Sequence, residues 1–219
     1  MRFFNTEGPV DAADHYCLPP LGRLDLDEVL GLIARKKYFL LHAPRQTGKT
    51  SCLLALMGHL NREGRYRAVH ANLEPAQTAR EDVARGMAAI CSVLGRSAAL
   101  YLQDQRPAEW CRDTGGAVAV DDRLTHLLSF WAACESRPLV LLLDEVDTLV
   151  GDTLISLLRQ LRAGHVQCPT AFPSTVVLCG VRDLRDYRIH ARGESEPIRG
   201  GSAFNLETAD DADERRLNA

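Results

Sequence analysis

The chain has 219 residues, of which 46% are hydrophobic and 25% are charged, and its formal net charge is −3. These values are ordinary for a globular protein and exclude a mostly disordered chain, a collagen-like chain and a coiled-coil rod. No apolar run approaches the roughly 18–20 residues that cross a bilayer, and the first residues turn polar at once, so we expect neither a membrane span nor a signal peptide. The mildly acidic balance also lacks the basic excess of a dedicated nucleic-acid binder, although a local basic patch stays open.

The seven cysteines are scattered and form no C-x-x-C pair. This spacing predicts neither a zinc site nor a disulfide framework. We therefore expect reduced thiols that serve as small core residues, and a cytoplasmic location.

Helical and strand patterns alternate along the sequence after an irregular segment at 1–24 that is rich in Gly and Pro. Spacing of the apolar residues distinguishes the helices, and short unbroken apolar runs indicate buried strands. In chain order these are a helix over 25–37, a strand over 38–41, a loop over 43–48, a helix over 49–60, a strand over 66–73, a helix over 76–95, a loop or insertion over 96–120, a helix over 121–134, a strand over 139–143, a helix over 152–163 and a strand over 175–179.

This alternation predicts an α/β fold. Apolar strands that do not alternate with polar residues belong to a parallel sheet with helices on both faces, joined by right-handed crossovers. We expect one core domain over 25–206. The tail over 207–219 is short and charged without apolar periodicity, so it is predicted to be disordered.

The segment APRQTGKTS matches the phosphate-binding pattern G-x-x-x-x-G-K-[ST], except that Ala43 stands where the first Gly is usual. It follows a predicted strand and opens a predicted helix, which is the context that the pattern requires. Gly48 permits close approach of backbone N–H groups to phosphate, Lys49 supplies a positive charge, and Thr50 offers a hydroxyl to Mg²⁺. The predicted nucleotide-binding residues are Ala43, Pro44, Arg45, Gln46, Thr47, Gly48, Lys49, Thr50 and Ser51.

A second motif is the apolar strand that ends in Asp144 and Glu145. In open α/β sheets, ligands sit at the carboxyl ends of the strands, so Asp144 should face the same crevice as the phosphate loop. We expect Asp144 to hold Mg²⁺ with Thr50, and Glu145 to orient or deprotonate an attacking water. The alternative is that the pair merely caps a helix in solvent.

The sequences APRQTGKTS, LVLLLDEVD and VVLCGVRD together resemble the additional-strand class of P-loop ATPases, and within it the AAA+ and signal-transduction (STAND) ATPases. The resemblance covers roughly 15–205. It implies a three-layer αβα P-loop NTPase fold with a parallel central sheet, and ATP and Mg²⁺ as ligands. It also implies a polar sensor residue after the strand over 175–179, which Arg182 or Asp183 matches; the alternative there is a charged surface turn. Three interpretations stay open for Arg185, Arg188 and Arg192: an arginine finger, the lining of a substrate or nucleic-acid path, and a solvated basic loop.

Weaker expectations concern the neighbouring segments. The resemblance implies that Tyr16 or Leu18 contacts the adenine ring, although a simple covering loop explains that segment equally well. His42 is expected to be structural, and Asp147 is expected to cap the following helix or to support the site. In the family a fifth strand lies beside the first and a helical lid follows. The composition change after Leu206 suggests their loss, with an exposed sheet edge and weakened turnover.

Three functions remain open from the sequence. The first is an AAA-like ATPase that hydrolyses ATP through Lys49, Glu145 and Arg182 and switches its contacts with an unknown protein partner or a second copy of itself. The second is a nucleotide-binding module without catalysis. The third is a P-loop kinase, which the adjacent carboxylates of Asp144 and Glu145 suit less well. No N-K-x-D segment favours guanine.

Overall fold

The computed structural model describes residues 3–4, 13–16 and 18–181, and the backbone of 205–208. Within these residues the helices are α1 (Leu26–Ala34), α2 (Lys49–Glu63), α3 (Val83–Leu102), α4 (Arg106–Asp113), α5 (Arg123–Ala133) and α6 (Gly151–His165). The strands are β1 (Phe39–His42), β2 (Arg67–Asn72), β3 (Leu139–Asp144), β4 (Thr175–Gly180) and β5 (Asn205–Thr208). Short 3₁₀ turns lie at Pro20–Arg23, Glu74–Ala79, Val120–Asp122 and Val146–Thr148.

The five strands form one sheet in the order β2-β3-β4-β1-β5. Strands β2, β3, β4 and β1 are parallel, which confirms the predicted parallel sheet. Strand β4 lies between β1, which precedes the glycine-rich loop, and β3, which ends in the acidic pair.

Strand β5 covers the edge of β1 that is predicted from the sequence to be exposed, so that prediction is wrong. It pairs antiparallel to β1, with Leu206 opposite Leu41 and Asn205 opposite His42. Because β5 includes Glu207 and Thr208, the strand also enters the first residues of the segment that composition assigns to a disordered tail. The backbone groups of β1 are thereby paired on both sides, and β2 forms the opposite edge of the sheet.

Helices cover both faces of the sheet, as the unbroken apolar strands predict. On one face α1 and α2 pack against every second strand residue: Phe39, Leu41, Val140, Leu142, Val177 and Cys179. On the other face α3, α4, α5 and α6 pack against the intervening residues: Leu40, Leu139, Leu141, Leu143, Val176 and Leu178. The result is a three-layer αβα fold with two cores. Helix α2, which begins in the phosphate-loop motif, packs on the same face of the sheet as α1.

The largest departure from the predicted elements lies between β2 and β3. The helix expected from Ala76 begins at Val83, because Pro75 leads a 3₁₀ turn and the side chain of Asp82 caps the new helix by accepting from the Arg85 amide. It then continues to Leu102, and α4 follows where a loop was expected. Pro107 lies in the first turn of α4, a position in which proline is compatible with a helix.

Among the residues that the structure describes, α3 has the length and apolar composition of a membrane span, whereas the sequence predicts none. The helix is apolar on average, but Arg85 and Arg96 interrupt its run of apolar residues. Its buried side chains pack in the core with β2 and α5. Core helices of globular proteins pass the same test, so this feature is weak support for a span.

Candidate functional site

The carboxyl ends of β1, β3 and β4 meet at one edge of the sheet and bring the two motifs together. His42 at the end of β1 pairs with Gly180 at the end of β4, and the Ala43 amide donates to the Gly180 carbonyl at 3.3 Å. Asp144 ends β3 on the other side of β4. The side chains of Thr50 and Asp144 reach each other past this intervening strand.

The loop between β1 and α2 turns sharply before the helix begins. Gln46 and Gly48 both have positive φ, at 60° and 80°, and the Thr47 hydroxyl donates to the Pro44 carbonyl at 2.8 Å. Helix α2 begins at Lys49, and Gly48 at its N-cap offers no side-chain hydrogen bond to the first helical amides. These amides and the positive end of the helix dipole are therefore directed at the loop, an arrangement that binds anions.

The ammonium group of Lys49 is folded back into this loop. Its Nζ donates to the carbonyl oxygens of Ala43 and Pro44, both at 3.0 Å, and the residue is only 6% exposed. A buried lysine is rare unless its charge is satisfied. Here two backbone carbonyls hold the charge at the centre of the loop, where it can meet an anion.

Asp144 is fully buried and receives hydrogen bonds from three different elements. Its Oδ2 accepts from the Thr50 hydroxyl at 2.7 Å and lies 3.3 Å from Nε2 of His70, while Oδ1 accepts from the Glu145 amide at 3.0 Å. Burial alone raises the pKa of Asp144, but the hydrogen bonds from His70 and Thr50 outweigh it and hold the pKa below its usual value. The carboxylate is therefore ionised at neutral pH, and the imidazole N–H must be the donor.

Glu145 stands in a strained backbone conformation beside this carboxylate. Its φ and ψ are 56° and 37°, in the left-handed region that non-glycine residues rarely occupy. Partial burial and the nearby carboxylates of Asp144 and Asp147 raise the pKa of Glu145, and the positive charge of Lys49 opposes them. A raised carboxyl pKa suits a group that accepts a proton during a reaction.

Asp147 connects the turn after β3 to the end of β4. Its Oδ2 accepts from the Val181 amide at 3.1 Å, and a Cβ on Gly180 would lie 2.9 Å from its other oxygen. Of the two expectations for Asp147, the helix cap is wrong, because Val150 is the N-cap residue of α6 and the Asp147 side chain accepts from Val181 instead. A supporting role of Asp147 at the site stays a prediction. Arg182 immediately follows this contact but lies outside the described residues, as do Asp183, Arg185, Arg188 and Arg192.

The chain segment before α1 approaches the loop through its 3₁₀ turn. The thiol of Cys52 on α2 donates to the Pro20 carbonyl at 3.1 Å, and a Cβ on Gly48 would meet the Arg23 guanidinium at 2.9 Å. Tyr16 and Leu18 are 56% and 75% exposed. The suggestion that either residue contacts an adenine ring stays a prediction.

Two residues of this site were not singled out from the sequence. His70 interrupts the apolar strand β2, and Cys179 lies in β4, where burial and then Asp144 raise the pKa of its thiol. A polar residue within a buried strand was the available signal for His70. The corresponding signal for Cys179 is absent, because cysteine is an ordinary core residue.

The hydroxyl of Thr50 and the carboxylate of Asp144 present adjacent hard oxygen atoms, which fits the ligand preference of Mg²⁺. Within the described residues, no group of three or more His, Cys, Asp or Glu side chains is placed to hold a metal ion.

Comparisons with known proteins give little beyond this geometry. No family model matches the chain. No curated protein matches it either. The chain is similar to one in a solved structure titled "Structure of Drosophila ORC bound to DNA", at 16% sequence identity and a TM-score of 0.43, over 85% of this chain and 49% of that chain. The chain thus spans about half the length of that protein chain, and a likeness at this level carries no information on activity, substrate or partner.

Proposed function

We propose that this protein binds ATP with Mg²⁺ and hydrolyses it, as an AAA-like member of the additional-strand P-loop ATPases. The observation that carries the proposal is the hydrogen bond between Thr50 and Asp144, which joins the two sequence motifs in one site. The parallel sheet with β4 between β1 and β3 supports the same class. From the scattered cysteines of the sequence we also propose a cytoplasmic location.

Phosphate binding is assigned to the loop and the start of α2. The first amides of α2 are available to phosphate oxygens, and the positive φ of Gly48 lets the backbone approach them. Lys49 would exchange the Ala43 and Pro44 carbonyls for the β- and γ-phosphates. A charge-assisted hydrogen bond of this kind contributes about 1.5–3 kcal/mol.

The cation is assigned to Thr50 and Asp144. Mg²⁺ usually takes one or two protein oxygens and completes its shell with water and substrate phosphates, and these two residues offer that number. When bound, Mg²⁺ neutralises the charge that develops on the phosphate oxygens. Asp144 is ionised and is held in one orientation by its hydrogen bonds, so it does not have to lose a proton before it binds a cation.

Hydrolysis is assigned to Glu145. Its carboxylate accepts a proton from a water molecule as the water oxygen bonds to the γ-phosphorus, and the bond from that phosphorus to the bridging oxygen of ADP breaks. The raised pKa of Glu145 favours this transfer. The cycle of binding and release would then change contacts with a protein partner or a second copy of the chain.

Binding is tested by titrating the protein with a fluorescent ATP analogue, with and without Mg²⁺. Lys49→Ala should weaken binding roughly ten- to a hundredfold, the equivalent of about 1.5–3 kcal/mol. Lys36→Ala, which removes an exposed lysine after α1, is the matched control and should bind as the wild type does. Equal binding by the Lys49→Ala protein would overturn the proposed phosphate site.

Turnover is tested separately under single-turnover conditions. Glu145→Gln should bind the nucleotide but hydrolyse it roughly 10²–10⁴ times more slowly than the wild type. Wild-type binding without any hydrolysis would instead establish the non-catalytic nucleotide-binding module. Transfer of phosphate to an added small-molecule acceptor rather than to water would establish the kinase.

A further inference from the structure

His70 lies where the edge strand of the sheet meets the acidic end of β3. It belongs to β2, whose residue Asn72 pairs in register with Asp144. The imidazole is only 5% exposed, and its Nε2 lies 3.3 Å from Oδ2 of Asp144. The ring of Tyr101 on α3 stands edge-on to it, with ring centroids 6.2 Å apart. The imidazole is therefore held between an aromatic ring and a carboxylate.

The two oxygens of Asp144 are held unequally. The Glu145 amide donates to Oδ1, and this donor is fixed by the backbone. Thr50 and His70 both reach Oδ2. If Thr50 turns a lone pair of its hydroxyl oxygen toward a cation, the imidazole of His70 still contacts Oδ2. The thiol of Cys179 also interacts with the Asp144 carboxylate.

We propose that His70 is a positioning residue for the cation site, in which its imidazole holds the Asp144 carboxylate in the orientation that accepts Mg²⁺. This inference rests on the function proposed above. His70 does not touch the cation or the nucleotide; it acts through Asp144. Groups that hydrogen-bond to a metal ligand in this way commonly change metal affinity by roughly 10–100-fold when they are removed.

A purely structural role predicts a different behaviour. A buried histidine that only satisfies a buried acid would lower the free energy of unfolding when replaced, without any specific change in cation dependence. A positioning residue must shift the Mg²⁺ concentration at which nucleotide binding is half-maximal. It must also leave Mg²⁺-free nucleotide binding unchanged, because Lys49 and the α2 amides carry that binding.

The experiment compares three substitutions of His70 in the full chain. Gln carries an amide N–H near the position of Nε2, Asn is polar but too short to reach Asp144, and Phe keeps the ring without a donor. We expect the half-maximal Mg²⁺ concentration to rise at least tenfold in His70→Phe and His70→Asn and to stay within about threefold of the wild type in His70→Gln. His126→Phe on the exposed side of α5 is the control.

The outcomes separate this inference from the proposed function. If the wild type shows no Mg²⁺-dependent nucleotide binding, both fail. If the wild type binds in a Mg²⁺-dependent way and all three His70 variants titrate with Mg²⁺ like it, the inference about His70 fails alone. If His70→Phe does not fold, the test is the half-maximal Mg²⁺ concentration of His70→Asn compared with that of His70→Gln. Equal values for these two variants would overturn the proposal.

Discussion

The hydroxyl of Thr50 donates a 2.7 Å hydrogen bond to Oδ2 of Asp144, a residue 94 positions further along the chain. The bond joins the first turn of α2 to the end of β3, although β4 separates β1 from β3 in the sheet. It therefore ties the phosphate-loop motif to the acidic motif. Its removal should be measurable both in stability and in cation binding.

Thr50→Val should destabilise the protein because it leaves the buried carboxylate of Asp144 with one hydrogen bond fewer. The expected loss in the free energy of unfolding is about 1–3 kcal/mol. Thr50→Ser keeps the hydroxyl and should stay within about 1 kcal/mol of the wild type. Urea unfolding of the three proteins measures the difference, and equal midpoints for the Val and Ser variants would contradict the bond's contribution.

Gly48→Ala should destabilise the loop for two reasons. Its φ of +80° costs an L-residue about 1–2 kcal/mol, and the new Cβ would lie 2.9 Å from the Arg23 guanidinium. Gly58→Ala in the same helix is the matched control, since nothing lies within 4 Å of its Cβ and alanine favours a helix. Thermal unfolding should show a lower midpoint for the first variant and an unchanged or higher one for the second. The same midpoint shift in both would argue against strain at Gly48.

Glu145→Gly should make the protein more stable while it abolishes hydrolysis. Glycine relieves the left-handed backbone at φ 56°, worth about 1–2 kcal/mol, and removes a carboxylate from the neighbourhood of Asp144 and Asp147. Glu145→Gln removes the charge but keeps the backbone strain, so it should gain less. Chemical denaturation at neutral pH ranks the three proteins. A wild type as stable as the glycine variant would show that the site stores no strain at this residue.

Asp104 should make the free energy of unfolding depend on pH through its hydrogen bonds with Arg106 and Trp131. It accepts from the Arg106 guanidinium at 2.8 Å and from Trp131 Nε1 at 2.9 Å. Burial raises its pKa, but these hydrogen bonds outweigh the effect of burial and hold the pKa below its ordinary value of 3.8. A depressed pKa gives stability that is present above the ordinary value and is lost as pH falls through the lower, folded-state value.

Asp104→Asn should therefore lose about 1.5–3 kcal/mol of unfolding free energy at pH 7, and its deficit should shrink as the pH drops below 3.8. The neighbouring Glu135 acts in the opposite sense, because burial raises its pKa. The comparison is best made in a Glu135→Gln background, by urea unfolding at a series of pH values. A deficit that does not change with pH would show that Asp104 contributes by packing alone.

Strands β1, β3 and β4 could be predicted well from the sequence because their apolar residues are buried on both faces of the sheet. Unbroken apolar runs placed β1, β3 and β4 within one or two residues of their observed ends. The motif residues Lys49, Thr50 and Asp144 were also brought together as predicted, since the carboxyl ends of parallel strands share one edge of the sheet.

Other features depended on tertiary context. The sequence predicts a loop or insertion over 96–120, where Pro107, Gly115 and Gly116 are typical helix breakers. Pro107 nevertheless lies in the first turn of α4, where proline is compatible with a helix. The role of His70 could not be read from a single polar residue in β2, because its contact with Asp144 exists only once β2 and β3 are paired. The sequence predicts that Asp147 caps the following helix or supports the site, whereas its contact with the Val181 amide exists only once β3 and β4 are paired.

The position of β1 in the sheet has a consequence for synthesis of the protein. Its neighbours are β4 and β5, which begin only at Thr175 and Asn205. Pairings between such distant segments pay the largest loop-closure entropy and form late. During synthesis on the ribosome, β1 cannot pair with a neighbouring strand until most of the chain has been made. The emerging chain then exposes an unpaired apolar strand that is open to aggregation.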